Sequence, residues 1–302
     1  MFYLSQKELL QLSLGRTLSN YWRLTKPKIW GLLVFTGIVA MLVSYKQTPG
    51  SVVSLPLIAV CFVALTLGSA SADVLTNYHD RDIDQMMKRT MKRPLPSGEI
   101  KPSNALAFGL TMAVLSVLIP LFLINVVSAS FMLVGLLDNI VVYSLLLKRR
   151  SWLNIILGGI SGGMPVLVGY AAVAGTVTPI AIYMSALVIV WIPTHIWSLA
   201  IFSKDDYEAA KVPMLPVVFG ERVAAICIAG TSVLLAVFSM VLIYFSPSIY
   251  YAATAIVLGA VVIAYSAKLA YDGKKETAWT LFKITSPYLT LIFLTLGITV
   301  WT

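Results

Sequence analysis

Residues 53–75, "VSLPLIAVCFVALTLGSASADVL", run without a break into residues 76–98, "TNYHDRDIDQMMKRTMKRPLPSG". The first stretch is long enough to cross ~30 Å of hydrocarbon as a helix. Its one charge is Asp73. The second stretch places Asp80, Asp82 and Asp84 where that helix leaves the apolar layer, and Lys88, Arg89, Lys92 and Arg93 follow at once. The apolar half sets the fold and the charged half raises the question of chemistry.

Apolar blocks of this length recur along the chain, at about 29–45, 53–75, 104–122, 125–147, 152–174, 177–202, 222–245, 248–270 and 279–301. The composition agrees: 59% of residues are hydrophobic and 12% charged, against roughly 25% charged in a soluble domain. The pattern predicts an all-α membrane protein, a bundle of nine transmembrane helices in one domain spanning residues 1–302. A β-barrel would show short alternating segments instead. The N-terminal residues are polar and lack the shape of a signal peptide.

Loop charge checks the count. Residues 1–28, 76–103, 148–151, 203–222 and 268–283 hold 21 of the 22 Lys/Arg, and Lys46 is the exception. Basic loops stay on the cytoplasmic side. That gives a multi-pass protein of the cell membrane with residues 1–27 and the polar clusters on the cytoplasmic side. The net charge of +9 then reflects orientation rather than nucleic-acid binding. Cys61 and Cys227 lie inside apolar runs without metal spacing and read as small buried hydrophobes. The two longest inner loops, after the second and sixth spans, both begin with acids, "DRDID" and "KDDYE". This suggests a four-helix unit used twice with one helix added.

If the second helix continues past residue 75, Asp73, Asn77, Asp80 and Asp84 recur at intervals of 4, 3 and 4 and share one face. Asp82 falls off that stripe. Carboxylates on a membrane helix need a cation to meet them. Mg²⁺ takes carboxylate oxygens and completes its shell with water and substrate phosphates. With such a metal, Lys88, Arg89, Lys92 and Arg93 make a site for a polyanion, a diphosphate above all. The same bases also satisfy the rule for orientation, which is the alternative reading for Lys88 and Lys92. Asp205, Asp206 and Glu208 form a second acidic group after the sixth span. Two acidic helix ends facing each other would clamp one diphosphate through metal ions acting as Lewis acids.

Other polar residues sit in the apolar runs. His195 follows a Pro193 kink and is either a hydrogen-bonded structural residue or an axial ligand to haem iron. Lys148 and Arg149 end the fourth span within reach of a diphosphate. Gly158, Gly159, Gly162 and Gly163 form two interleaved GxxxG patterns that read as close helix packing. Asp138 has no evident partner.

Four stretches carry a resemblance: "LTKPKIWGLLVFT" (24–36), "NYHDRDIDQMMKRTMKRPLPSG" (77–98), "YSLLLKRRSWLNIILGGISGGMPVLVGY" (143–170) and "WIPTHIWSLAIFSKDDYEAAKVPMLPVVFG" (191–220). The chain resembles the UbiA superfamily of intramembrane prenyltransferases, and within it the protohaem IX farnesyltransferase (haem O synthase) family. That resemblance implies nine helices around a cavity open to the cytoplasmic side and to lipid. It implies farnesyl transfer from farnesyl diphosphate to a vinyl group of haem B, with Mg²⁺ as cofactor. Asp80 and Asp84 match the first metal motif, and Asp205 with Asp206 the second. Lys148, Arg89 and Arg93 match basic positions around the diphosphate. Asn77, Arg81, Arg149, Asn154, Trp197 and Tyr207 join the substrate-binding set, and His195 falls on the family's histidine. Tyr143 is placed to steady an allylic cation through its ring. Haem-pathway or terminal-oxidase assembly proteins would be partners, beside membrane lipid. The chain departs from the family at Thr76, where the usual pair is Asn-Asn, at His79, at Thr194 and at Asp73, which replaces a small residue.

Two rivals differ in kind. A transporter has no need of two acidic helix ends on one side. A prenyltransferase for a quinone precursor would keep the metal site and change the pocket around His195.

Overall fold

The computed structural model describes the backbone of residues 6–301 and the side-chain surroundings of residues 15–301. Residues 1–5 of the expected N-terminal segment lie outside the described residues. Helix α1 (Gln6–Leu24) leads into α2 (Pro27–Gln47), α3 (Leu55–His79) and the short α4 (Arg81–Met86). Then come α5 (Pro102–Leu123), α6 (Val126–Leu137), a π-helix (Asp138–Leu147), α7 (Asn154–Gly158) and α8 (Ile160–Ala174). The rest is α9 (Pro179–Phe202), the short α10 (Lys204–Ala209), α11 (Leu215–Val241), α12 (Ile249–Asp272) and α13 (Lys275–Thr299). Among the described residues, nine helical spans are long and apolar enough to cross a membrane. Their ends fall within a few residues of the predicted ones, apart from the seventh and ninth starts. The seventh starts at Leu215 rather than near 222, but Gly220 at φ 84°, ψ 163° breaks it. The long straight part therefore begins where the apolar run does. The ninth begins at Lys275 rather than near 279.

Local chemistry explains the helix starts. Pro27, Pro56, Pro102, Pro179 and Pro216 stand in the first turn of their helices, where a missing N–H costs nothing. Ser54 and Asn125 cap α3 and α6 by accepting the N–H groups of Leu57 (3.3 Å) and Ser128 (2.8 Å). The two inner loops do begin alike, each with a six-residue helix, α4 and α10.

The spans form a closed ring in which α2 meets both α3 and α13, with α8 packed between α2, α6 and α9. Lipid supplies no hydrophobic drive between helices, so small residues decide where backbones approach. A Cβ on Gly162 would lie 2.3 Å from Ile192 Cδ1, and one on Gly163 2.5 Å from Ser185 Oγ. The paired GxxxG patterns are therefore helix-packing surfaces, mainly toward α9. The tightest crossing is elsewhere: a Cβ on Gly169 would stand 1.9 Å from Gly37 O, backbone against backbone of α2. Cys61 is buried, Cys227 half-buried, and both are free thiols.

The basic loops meet at one end of the bundle. Arg23 reaches Glu99 (3.1 Å), Arg149 reaches Asp82 (2.6 Å) and Lys275 reaches Asp205 (3.0 Å). Gly169→Ala should lower the thermal stability of the detergent-solubilised protein by more than ~2 kcal/mol, because no flexible atom can yield. Gly230→Ala on the open face of α11 has nothing within 4 Å and should stay within ~1 kcal/mol of wild type.

Candidate active site

The α3 helix does not continue unbroken through the acidic stretch. It ends at His79, Asp80 takes φ −87°, ψ 2°, and α4 restarts at Arg81. The Asp80 N–H donates to Thr76 O at 2.9 Å, and the Asp84 N–H to Asp80 O at 2.8 Å. These bonds carry the spacing across the corner, so Asn77, Asp80 and Asp84 still converge and are 2%, 1% and 4% exposed. Asp73 does not join them; it pairs with Lys26 at 3.1 Å.

Each buried carboxylate has its own cation from another part of the chain. Arg93 donates to Asp84 Oδ2 at 2.8 Å and to Asn77 Oδ1 at 3.3 Å. Lys148 donates to Asp80 Oδ2. Arg93 comes from the loop after α4, held by Thr90, whose hydroxyl donates to Asp84 O at 2.9 Å. Lys148 comes from the π-helix, whose closing bond runs from the Lys148 N–H to Tyr143 O at 2.8 Å. A π-turn spaces residues differently from an α-turn. Here Lys148 Nζ also lies 5.2 Å from the Tyr143 ring centre. Thr76 fixes the π-helix by bonding Asn139 Oδ1 (3.1 Å) and Ser144 Oγ (3.0 Å). Of the pair Thr76-Asn77, then, Thr76 joins helices and Asn77 faces the charged cluster.

The other expected site residues are distributed around this centre. Arg149 grips Asp82 through both nitrogens (2.7 and 2.6 Å) and donates to His79 O at 2.6 Å. Those bonds hold the Asp82 carboxyl at about 2, below its ordinary value. Arg81 donates to Tyr78 O at 2.7 Å and covers the Tyr78 ring. Asp206 accepts the backbone N–H groups of Lys88 (3.1 Å) and Arg89 (3.3 Å), which ties α10 to the loop carrying Arg93. Arg89 reaches the buried Tyr207 hydroxyl at 3.5 Å. Asp205 is 85% exposed and pairs with Lys275, which holds its carboxyl below the usual range. The second acidic pair thus braces the rim. Among the described residues, no three His, Cys, Asp or Glu side chains are grouped to hold one cation by themselves.

The donor set nonetheless fits a hard divalent ion. Asp80 Oδ1 and Asn154 Oδ1 are buried without a hydrogen-bond donor. Mg²⁺ is commonly held by one or two carboxylates with substrate phosphates filling the shell. Toward the bundle interior, Asp73, Asn139, Ser161, Leu65, Leu136 and Met164 line a cavity of about 110 Å³. Asp138 finds its partner there: its carboxylate accepts the Ser161 N–H at 2.7 Å and caps the first turn of α8.

His195 lies apart, on α9. Its ring stacks between Trp191 (4.4 Å) and Phe282 (4.3 Å), and Nδ1 pairs with the Thr285 hydroxyl at 2.8 Å. Trp279 and Phe202 extend the stack toward the charged end. Trp197 is buried, its Nε1 without an acceptor. The Lys26–Asp73 pair escaped the sequence reading, although a lysine opening one span and a lone aspartate inside the next are its signals.

Residues 33–295 match the model of the UbiA prenyltransferase family. The chain belongs to the UbiA prenyltransferase family. It is 42% identical over 274 residues to a protein of Thermoplasma volcanium named protoheme IX farnesyltransferase, covering 90% of this chain and 94% of that one. It is 44% identical over 287 residues to the protein of the same name from Desulforudis audaxviator, covering 94% and 89%. Among solved structures, a digeranylgeranylglyceryl phosphate synthase superposes with TM-score 0.76 at 20% identity, covering 94% of this chain and 98% of that one. A UbiA homolog from Archaeoglobus fulgidus bound to DMAPP and Mg²⁺ superposes with TM-score 0.66 at 19% identity, covering 92% and 99%. The corner at Asp80 is thus a feature within a UbiA fold.

Arg93→Met leaves Asp84 buried and unpaired, and should cost about 3 kcal/mol or more of stability. Arg149→Met removes a half-exposed pair and should cost less than ~1 kcal/mol. The Asp82 contribution is complete above its unfolded value of ~3.9. It fades as pH falls toward 2, so Asp82→Asn should flatten stability only in that acid window. Thermal melts of the three variants against pH check all of this.

Proposed function

We propose that this protein transfers a farnesyl group from farnesyl diphosphate to a vinyl group of protohaem IX. The observation that carries this reading is the extended likeness to relatives bearing the name protoheme IX farnesyltransferase. The buried cluster of Asn77, Asp80 and Asp84 with Arg93 and Lys148 suits it chemically. Asp80 and Asp84 would hold Mg²⁺, and Asp205 and Asp206 would join them only by exchanging Lys275 and the N–H groups of Lys88 and Arg89 for the metal. When bound, Mg²⁺ supplies Lewis-acid stabilisation of the departing diphosphate.

The chain's own residues do the rest. Arg89, Arg93 and Lys148 take up the negative charge that grows on the diphosphate as the C–O bond breaks. Asn77 orients Arg93, and Thr90 fixes the loop that presents it. The Tyr143 ring, beside Lys148, faces the allylic cation. The apolar cavity excludes water from that cation. The vinyl carbon then attacks, water adds to the resulting cationic centre beside the porphyrin and passes a proton to the released diphosphate, giving a hydroxyethylfarnesyl side chain. His195, Trp197, Asn154 and Tyr207 belong to the acceptor side, and Arg81 and Arg149 to the rim. Both substrates are amphiphilic, so the site sits where apolar tails remain in lipid and charges reach the surface.

The protein is a single-domain, multi-pass protein of the plasma membrane. Its charged end, with the N-terminal segment and the cavity mouth, faces the cytoplasm, as the 21 inner bases favour. Proteins that supply haem or receive the product, such as oxidase assembly factors, are its partners.

Purified protein given Mg²⁺, farnesyl diphosphate and protohaem IX should yield a haem of increased mass, seen by chromatography and mass spectrometry. Absence of that product would sink the reading, and prenylation of a quinone precursor instead would reassign the acceptor. Asp80→Asn should lower kcat by about 100-fold or more. His195→Ala should lose haem transfer while keeping affinity for farnesyl diphosphate.

A further inference from the structure

Two half-buried charges lie outside the cluster used above. Lys26 and Asp73 are 18% and 15% exposed at their side chains and meet at 3.1 Å. Lys26 stands at the corner between α1 and α2, in a left-handed conformation of φ 51°, ψ 63°. Such a conformation persists in a non-glycine residue only where the surroundings dictate it, and it collects at functional sites. The surroundings here lead back to the charged cluster. Leu24 O, two residues earlier, accepts Asn77 Nδ2 at 3.0 Å, and Asn77 Oδ1 accepts Arg93. Asp73 lies on α3 roughly 10 Å before Asp80 at helical rise, and lines the apolar cavity. Arg93 and Lys148 are within electrostatic reach of both members of the pair.

We propose that Asp73 is a positioning residue. It holds the Lys26 ammonium at the junction of the ionic cluster and the cavity, where Lys26 binds the anionic end of the prenyl diphosphate. The proposal rests on the prenyl-transfer reading. An ammonium carries three donors. Asp73 takes one through Oδ1, and that bond directs the other two. Without it, a lysine at a membrane rim turns its charge out to the aqueous surface. A carboxylate at position 73 is thus explained as an anchor for a cation. Because Asp73 keeps its partner while Lys26 also meets phosphate, no buried carboxylate is left bare.

Binding is read by calorimetry in detergent with Mg²⁺ and a farnesyl diphosphate analogue whose ester oxygen is sulfur. Asp73→Asn and Lys26→Met should each weaken binding about 10- to 100-fold. The double variant should be no weaker than either single one, because both act through one bond. In turnover, KM for farnesyl diphosphate should rise while KM for haem and kcat hold. The apolar pair Lys26→Met/Asp73→Leu separates folding from binding. A buried ion pair replaced by packed apolar groups keeps stability, so this variant should melt near wild type and still bind weakly. Wild-type affinity in that variant, or multiplying losses in the double variant, would overturn the proposal. A wild-type protein that does not bind the analogue would instead sink the prenyl-transfer reading itself.

Discussion

Asp80 and Asp84 are two carboxylates buried at the end of an apolar helix, and most of the charged end is arranged around neutralising them. An unpaired charge there is costly, so each must be met by a cation from another part of the chain. Arg93 reaches Asp84 from the loop after α4, and Lys148 reaches Asp80 from the π-helix. Removing water strengthens these pairs and equally penalises their loss. The cluster therefore fixes how α3, the loop after α4 and the fourth span end relative to one another. Thr76, Thr90 and Asp206 are the polar braces that keep those ends in register.

That constraint also explains the departures from regular helix. A straight α3 would carry Asp80 and Asp84 onward along one stripe. The corner at Asp80 interrupts the helix before α4, while the hydrogen bonds across it keep Asp84 beside Arg93, which Asn77 also holds. A π-helix of ten residues is a long run for a form seen mostly as single turns at functional sites. Here it carries Lys148 and Tyr143 together. Asp138, at its first residue, caps α8, so the same segment also stabilises a break in the next span.

The charged end and the aromatic stack around His195 are two separate clusters of the bundle. Cations, buried oxygens and the Lys26–Asp73 pair gather around α3. His195 and its neighbours Trp191, Phe282 and Trp279 stack face to face between α9 and α13. The second acidic group serves the first: Asp206 holds the backbone at Lys88 and Arg89, and Asp205 joins α10 to α13 through Lys275.

The amino-acid sequence by itself determined the nine spans, the common end of the basic loops and the shared face of Asn77, Asp80 and Asp84. These follow from one-dimensional quantities: apolar length, charge asymmetry and the spacing of carboxylates on a helix. It also placed the interleaved glycines on a packing face. Only the tertiary structure decided that α3 turns at Asp80, that Asp73 belongs to Lys26, that Asp138 caps α8 and that Gly169 touches Gly37. It also separated Thr76 from Asn77 and gave Asp205 and Asp206 to Lys275 and the loop backbone. The physical reason is that a carboxylate in a low-dielectric setting takes whichever cation or N–H the fold brings within about 3 Å. That choice depends on which helices cross, and local periodicity carries no record of it.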